Sequence, residues 1–370
     1  MKVLVLNGGS SSLKCWYHDL AGDQTTQAPK PLWQLHLDLK PDGRIEDVLG
    51  PALRSIPGAV DVVGHRIVHG GKFRESAVLT SEVRSAIAQQ AEMAPTHNRL
   101  ELAAMDIAGH VFGANVTQVA VFDTEFHSTL PPAAYIYAGP YAWLDQGIRR
   151  YGFHGISHQY AAGRAAELLG SKSARLITCH LGNGASLAAI REGRSIDTTM
   201  GFTPLEGLMM GSRSGSVDPA ILIHLMRQGK TADELDDLLN HQSGLLGISG
   251  ISGDMREIVA AVETGNKRAR LAFEIYAHRL MREMGGMLAV LGGLDAMVFT
   301  GGVGENCPPL REAAARQLAF TGLRLDPLKN AAPDRDTDVA ATDSAVRVLV
   351  IHAEEEWEIA RECYRIIQLS

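Results

Sequence analysis

Three glycine-rich stations and two arginines stand out in this chain as residues able to do chemistry. The first station is Asn7-Gly8-Gly9-Ser10-Ser11-Ser12, followed by Lys14. It offers backbone N–H groups, three hydroxyls and an ammonium, and glycine lets the backbone approach an anion closely. It lacks the G-x-x-x-x-G-K-[ST] spacing of a Walker A loop. The second is Gly182-Asn183-Gly184-Ala185-Ser186, just after His180. A lone Asn-Gly turn is most simply a plain hairpin. Two turns of one grammar (apolar strand, Asn with glycines, Ser, apolar strand), half a chain apart, favour a polyphosphate clamped from both sides. The third station, Thr300-Gly301-Gly302-Val303-Gly304-Glu305-Asn306, closes the apolar run Met297 to Thr300, ahead of a helix expected after Pro308. A tight strand-to-helix turn needs one glycine rather than three, and α/β sheets bind ligands outside the carboxyl ends of their strands. This station is expected to contact a nucleotide.

Arg66 lies in Gly64-His65-Arg66-Ile67-Val68-His69-Gly70-Gly71, and Arg213 in Met210-Gly211-Ser212-Arg213-Ser214-Gly215. A guanidinium matches phosphoryl oxygens with a bidentate fork, and these glycine and apolar neighbours are unusual for a plain surface arginine. Asp123, at the end of an apolar strand, reads equally as an Mg²⁺ or positioning carboxylate and as a helix N-cap. His154 and His158 are spaced i, i+4, but Gly155 and Ser157, read as an N-cap, put His154 ahead of the helix. A zinc pair is therefore rejected, and His154 is kept as a hydrogen-bond donor to a phosphoryl group. The triple Glu354-Glu355-Glu356 is by default a helix start favoured by the dipole. One of the three could also help hold Mg²⁺.

The elements that must position these residues alternate. Strands are expected at Lys2 to Leu6, Leu13 to Tyr17, Val62 to Val68, Val116 to Phe122, Arg175 to His180, Leu187 to Ile190, Met297 to Thr300 and Val346 to Ile351. Helical periodicity covers Ser81 to Glu92, Ser157 to Leu169, Lys267 to Leu291, Pro309 to Ala319 and Glu355 to Ile367. Gln24 to Gly50 reads as strands plus loops. The two matched hairpins suggest an internal duplication of a nucleotide-binding unit, and the alternation favours sheets covered by helices.

Composition narrows the class. At roughly 150 residues per domain, 370 residues make two domains or a little more. Apolar residues at 45% and charged residues at 21% describe an ordinary globular chain. A net charge of −7 gives no sign of a basic face for nucleic acid. The four cysteines form no C-x-x-C pair, which fits reduced thiols in a cytoplasmic protein. The N-terminus is too short for a signal-peptide core, and the most apolar stretch, Met284 to Thr300, is broken by glycine pairs and Asp295. No membrane attachment is expected.

Eight segments in order, VLVLNGGSSSLK, VGHRIVHGG, VFDTEFH, RRYGFHGISH, CHLGNGASL, MGFTPLEGLMMGSRSGSVDP, SGLLGISGISGDMREI and FTGGVGEN, make the chain resemble the acetate kinase family over nearly its whole length. The resemblance implies the duplicated two-domain α/β fold of the acetate and sugar kinase, heat-shock chaperone and actin superfamily (ASKHA), with nucleotide in the interdomain cleft. It implies an N-terminal domain of residues 1–125 plus 355–370 and a C-terminal domain of residues 126–354 with the adenosine pocket. By resemblance, Asn7, Asp123 and Glu355 position Mg²⁺ (or Mn²⁺) and phosphate, with Asn7 and Glu355 nearest the metal. Ser10, Ser12, Lys14, His180 and Asn183 attend the phosphates. Arg66 and Arg213 flank the transferred phosphoryl group, and His154 contacts it. Gly182, Gly184, Asp254, Met255, Arg256, Gly301, Gly302, Val303, Gly304 and Asn306 complete the ATP pocket. Val68, Phe153 and Pro204 form the methyl pocket, with Thr96 standing where the family's Ala-Pro-Leu-His-Asn-Pro has leucine and Arg99 where it has proline.

The implied activity is reversible phosphoryl transfer from ATP to acetate, giving acetyl phosphate and ADP, in a cytoplasmic homodimer. Two alternatives stand beside it: a kinase of propionate or another short carboxylate, and an ASKHA ATPase that uses the fold as a switch. The switch has no use for two arginines and a methyl-sized pocket.

Overall fold

In the computed structural model, residues 1–9, 12–20, 27–38, 45–90, 95–113 and 115–369 are described, with 95–99 described by backbone alone. Among them the strands form two six-stranded sheets. The first contains β1 (Lys2–Gly8), β2 (Ser12–Asp19), β3 (Trp33–Asp38), β4 (Val62–Ile67), β5 (Ala77–Val78) and β6 (Thr117–Phe122). Its order is β3-β2-β1-β4-β6-β5. The second contains β7 (Leu176–Leu181), β8 (Ala185–Arg191), β9 (Arg194–Thr198), β10 (Ala296–Thr300), β11 (Thr337–Asp338) and β12 (Arg347–Val350). Read from its β9 edge, its order is β9-β8-β7-β10-β12-β11.

These are the same sheet twice. In each, an antiparallel meander of three strands joins a parallel trio, and a two-residue antiparallel strand closes the far edge. The matched hairpins Asn7–Lys14 and His180–Ser186 occupy corresponding places, β1–β2 and β7–β8. The duplication expected from the hairpin grammar is thus present in the topology.

The chain divides into two compact units. The first is Met1–Ser128 with His154–Tyr160 and Glu354–Ser370, and the second is Thr129–Phe153 with Ala161–Ala353. In the first, β1 is buried almost end to end, as suits a central strand covered on both faces. Helices Ile45–Arg54 and Pro95–Phe112 pack over the cluster built from Leu4, Leu6, Leu13, Tyr17, Leu49 and Leu53. Helix Glu355–Leu369 packs on β1, β4 and β6. In the second, helix Lys267–Leu291 packs on β8 and on helices Gly244–Ser249 and Met255–Glu263.

Three local expectations are corrected. The stretch Gln24 to Gly50 holds β3 but then opens helix Ile45–Arg54, whose Ile45, Leu49 and Leu53 are buried at helical spacing. Gly50 and Pro51 mask that period in the sequence. The helix expected from Ser157 starts two residues earlier, at Gly155, so Ser157 is inside the first turn rather than its cap. His154 does precede the helix, at φ 57°. The station after β10 is itself helical over Gly301–Asn306, and a second helix, Pro308–Gln317, follows.

Gly64, in β4, faces helix Glu355–Leu369 so closely that an added Cβ would overlap Cys363 Sγ and sit 3.1 Å from Ile359 Cγ2. Gly64→Ala is expected to cost about 1–3 kcal/mol by overpacking. Cys363→Ala in the same chain is expected to recover part of it. Urea unfolding of the two single variants and the double variant measures the coupling; a neutral Gly64→Ala would contradict this packing.

Candidate active site

In the first unit the site grows from one buried ion pair. Arg66 leaves β4 with its Nη2 donating to Asp123 Oδ2 at 2.9 Å and its Nη1 donating to Gly8 O at 2.8 Å. Asp123, directly after β6, is 1% exposed. Its Oδ2 also accepts the His154 N–H at 2.9 Å, and its backbone oxygen accepts the Gly155 N–H at 2.8 Å. A Cβ at Gly155 would overlap that oxygen, so only glycine permits the approach. Three predicted residues, Arg66, Asp123 and His154, are therefore held in one network. Burial works against the Arg66 charge, but Asp123 and Glu355 outweigh it and hold the guanidinium protonated.

Asn7 is the second anchor. It lies within β1, paired with Lys14 of β2, rather than in the turn itself. Its Nδ2 donates to Glu355 Oε2 and to Glu356 Oε1, both at 3.1 Å. Lys14 Nζ is 3.2 Å from Glu356 Oε1. Burial opposes the ammonium, yet Glu356 and Glu355 raise its pKa on balance. Ser12 begins β2, and Gly9 N donates to its carbonyl at 2.8 Å. Ser10 lies outside the described residues.

These residues suit a divalent cation. Asp123 Oδ1 is buried without a hydrogen-bond partner among the described residues, and the Glu355 carboxylate, which like Asp123 acts on the Arg66 charge, is a second hard oxygen donor. Among the described residues no three His, Cys, Asp or Glu side chains converge as a cage. Mg²⁺ does not need one, since it is commonly held by one or two carboxylates, phosphate oxygens and water.

The second unit carries a cavity of about 1030 Å³. Of the predicted nucleotide residues, Gly182, Asn183, Asp254, Met255, Arg256, Gly302, Val303 and Asn306 line it. Val259, Glu263, Cys307, Pro308 and Pro309 line it too and carried no motif signal. His180 and Gly184 flank the turn but are not in the lining. The three glycines after β10 have separate reasons. Gly301 takes φ 79° with its Cα against the Leu181 backbone, and its N–H is capped by Glu305 Oε1 at 2.9 Å. Gly304 packs on β7 near Cys179 O. A Cβ on Gly302 would meet no protein atom within 4 Å, so its bareness serves the cavity rather than the packing. Asp254 is also a helix cap: its Oδ1 accepts the Arg256 N–H at 2.8 Å, and its carboxylate pairs with the Arg256 side chain.

The acyl-pocket candidates divide between the units. Val68 is buried in the first. Phe153 is buried in the second, where Arg213 Nη1 donates to Pro204 O at 3.2 Å. The Thr96 side chain lies outside the described residues.

Glu101 carried no signal in the sequence, yet it belongs to this neighbourhood. It is 3% exposed, its Oε1 accepts the Val68 N–H at 3.0 Å, and its Oε2 is buried without a partner among the described residues. Burial pushes its carboxyl up to about 8, against the pull of Arg66 and the Val68 N–H, with Asp123 adding to the rise. The folded state thus keeps a proton that the unfolded chain releases near its ordinary value. Stability is lost as pH rises from about 4.5 towards 8 and is level above that. Glu101→Gln is expected to gain stability relative to the parent chain across that window. Thermal melts at pH 5 and pH 8 check this; a difference independent of pH would remove the buried neutral acid.

Comparison with known proteins now bears on these geometries. Residues 48–361 match the Acetokinase family. An acetate kinase from Gloeobacter violaceus is 55% identical over 401 aligned positions, covering 99% of each chain. The crystal structure of Porphyromonas gingivalis acetate kinase is 38% identical with a TM-score of 0.86, covering 99% of both chains. A propionate kinase structure from Francisella tularensis is 34% identical with a TM-score of 0.88, again over 99% of both. The chain belongs to the Acetokinase family.

Proposed function

We propose that this protein is an acetate kinase, moving the γ-phosphoryl group of ATP reversibly to acetate to give acetyl phosphate and ADP. The observation that carries the reading is full-length similarity to acetate kinases combined with the buried Arg66–Asp123–His154 network. A carboxylate is already ionised at pH 7, so its attack needs no general base. Its oxygen forms a bond to the γ-phosphorus as the bond to the β–γ bridging oxygen breaks, and ADP leaves with that electron pair. The protein must align donor and acceptor, balance charge and exclude water.

Arg66 and Arg213 supply guanidinium charge to the equatorial oxygens, and His154 donates a hydrogen bond to them. Lys14, His180 and Asn183 attend the phosphates, and the cavity beside Met255 and Gly302 takes the adenosine. Val68, Phe153 and Pro204 are assigned to the methyl group by resemblance, with Thr96 at the family's leucine position. Mg²⁺, or Mn²⁺ in its place, would be held by Glu355 with Asn7 and Asp123 near it, supplying positive charge to phosphate oxygens. The two domains are read as residues 1–125 with 355–370 and residues 126–354, bounds from which the compact units differ chiefly in taking His154–Tyr160 into the first. Four buried free cysteines and the ATP substrate fit a cytoplasmic enzyme, and no helix among the described residues is long and apolar enough to cross a membrane.

Hydroxylamine trapping with ATP, Mg²⁺ and a panel of formate, acetate, propionate, butyrate and glycolate tests the activity. The hydroxamate signal is expected to be strongest with acetate. ATP hydrolysis without hydroxamate from any acid would sink the kinase. Arg213→Ala is expected to lower kcat by about 10³ or more with the melting temperature held. Near-normal turnover would refute its role.

The enzyme is also read as a homodimer. Helix Pro219–Arg227 has no buried residue, and its Ile221, Ile223 and Met226 are each about half exposed. An apolar helix left in water on a monomer is costly, and a second copy would cover it. Light scattering is expected to give twice 39.8 kDa for the parent chain, and a monomer for Ile223→Asp. A monomeric parent chain removes the dimer.

A further inference from the structure

We infer that Glu206 is a positioning residue for the acyl pocket, fixing Phe153, Pro204 and Arg213 together through Tyr137 and Arg150. The inference rests on the kinase reading and deepens it.

Glu206 lies in the loop after β9, two residues beyond Pro204. One carboxylate oxygen, Oε1, accepts Arg150 Nη2 at 2.8 Å. The other, Oε2, accepts the Tyr137 hydroxyl in a short hydrogen bond. Each partner then reaches back to the same loop. Tyr137 Oη accepts the Phe202 N–H at 2.8 Å. Arg150 Nη1 donates to Thr199 O at 2.9 Å and to Met200 O at 2.8 Å. The chain after Arg150 joins as well, with Tyr151 N donating to Gly201 O at 3.0 Å. That segment ends in Phe153.

One carboxylate therefore ties three pieces of backbone: the stretch at Tyr137, the stretch from Arg150 to Phe153, and its own loop from Thr199 to Glu206. The loop in turn places Pro204 O, which accepts Arg213 Nη1. The fit is tight, because a Cβ on Gly201 would overlap both Glu206 Oε2 and Tyr137 Oη. Burial and the Glu206 carboxylate push the Tyr137 phenol well above its ordinary pKa, so it remains a hydrogen-bond donor. Glu206 is not among the residues proposed to meet the substrate. It acts through the residues that would, and a misplacement of about 1 Å there can cost 10²-fold in rate. None of these three residues lines the nucleotide cavity.

The test separates the acid from the nucleotide. Glu206→Ala is expected to raise the KM for acetate about tenfold or more and to lower kcat, with the KM for ATP held within about twofold. Glu206→Gln keeps an acceptor for Arg150 and turns a donor to Tyr137 Oη, and is expected to recover most of the acetate affinity. Tyr137→Phe removes a single oxygen, and is expected to shift acetate KM in the same direction by less. It decides the matter if Glu206→Ala does not fold. An unchanged acetate KM in the variants that fold, or an ATP KM rising in step with it, overturns the inference. Because the parent enzyme is assayed alongside, the two readings fail differently. No hydroxamate from the parent sinks the kinase, whereas an active parent with indifferent variants sinks Glu206 alone.

Discussion

A buried guanidinium has to be kept charged and aimed, and the Arg66–Asp123 pair imposes this on the first unit. Taking both charges out of water is costly, and the direct pair with the bonds to Gly8 O and the His154 N–H offsets it, while Asp123 Oδ1 and Arg66 Nε are left without a hydrogen-bond partner among the described residues. Arg66 spends one nitrogen on Gly8 O and another on Asp123, which ties the first hairpin to β4 and β6 at once. Asp123 then uses its remaining capacity on the backbone of His154 and Gly155. Removing either ion would leave a buried charge uncompensated, at about 3–5 kcal/mol. The strand ends, the hairpin and the start of helix Gly155–Leu169 are therefore set by one pair as much as by the core.

The duplicated sheet shows how one scaffold is put to two uses. In the first unit, the hairpin strands bring Asn7 and Lys14 against Glu355 and Glu356, so its chemistry is ionic. In the second, the corresponding turn packs Asn183 against Gly211, whose N–H donates to Asn183 O at 3.0 Å. There the backbone and glycines make an open, largely uncharged wall to the cavity. Topology repeats because the strand pattern repeats, while charge is free to diverge because it lies on strand ends and loops.

Legibility followed periodicity. Most of the longer strands are legible from short apolar runs, whereas β5 and β11 are two residues long and β9 is mostly polar, and helix Lys267–Leu291 is legible because its period runs for 25 residues. Helix Ile45–Arg54 was hidden by Gly50 and Pro51, whose local preferences lose to the burial of Ile45, Leu49 and Leu53. Arg66, Arg213 and the glycine stations announced themselves by unusual neighbours. Glu101 and Glu206 did not, because an isolated glutamate looks like surface. What makes each matter is a three-dimensional neighbour: the Val68 N–H for one, Tyr137 and Arg150 for the other. Cavity residues such as Val259 and Pro309 are silent for the same reason.

Charge balance gives the network its last logic. With Glu101 protonated near neutral pH, the described network sets Arg66 and Lys14 against Asp123, Glu355 and Glu356. Two cations against three carboxylates leave a surplus negative charge, which alone would repel a polyphosphate. On the proposed reading, a divalent cation held there would reverse that sign and favour the nucleotide. An ionised Glu101 would add a further negative charge beside Arg66 and weaken the guanidinium's reach towards phosphate. Holding that carboxyl neutral by burial leaves Asp123 as the direct carboxylate partner of Arg66, while the Glu101 oxygen still fixes the Val68 backbone. Burial of one carboxyl thus sets the protonation state of the group next to the arginine.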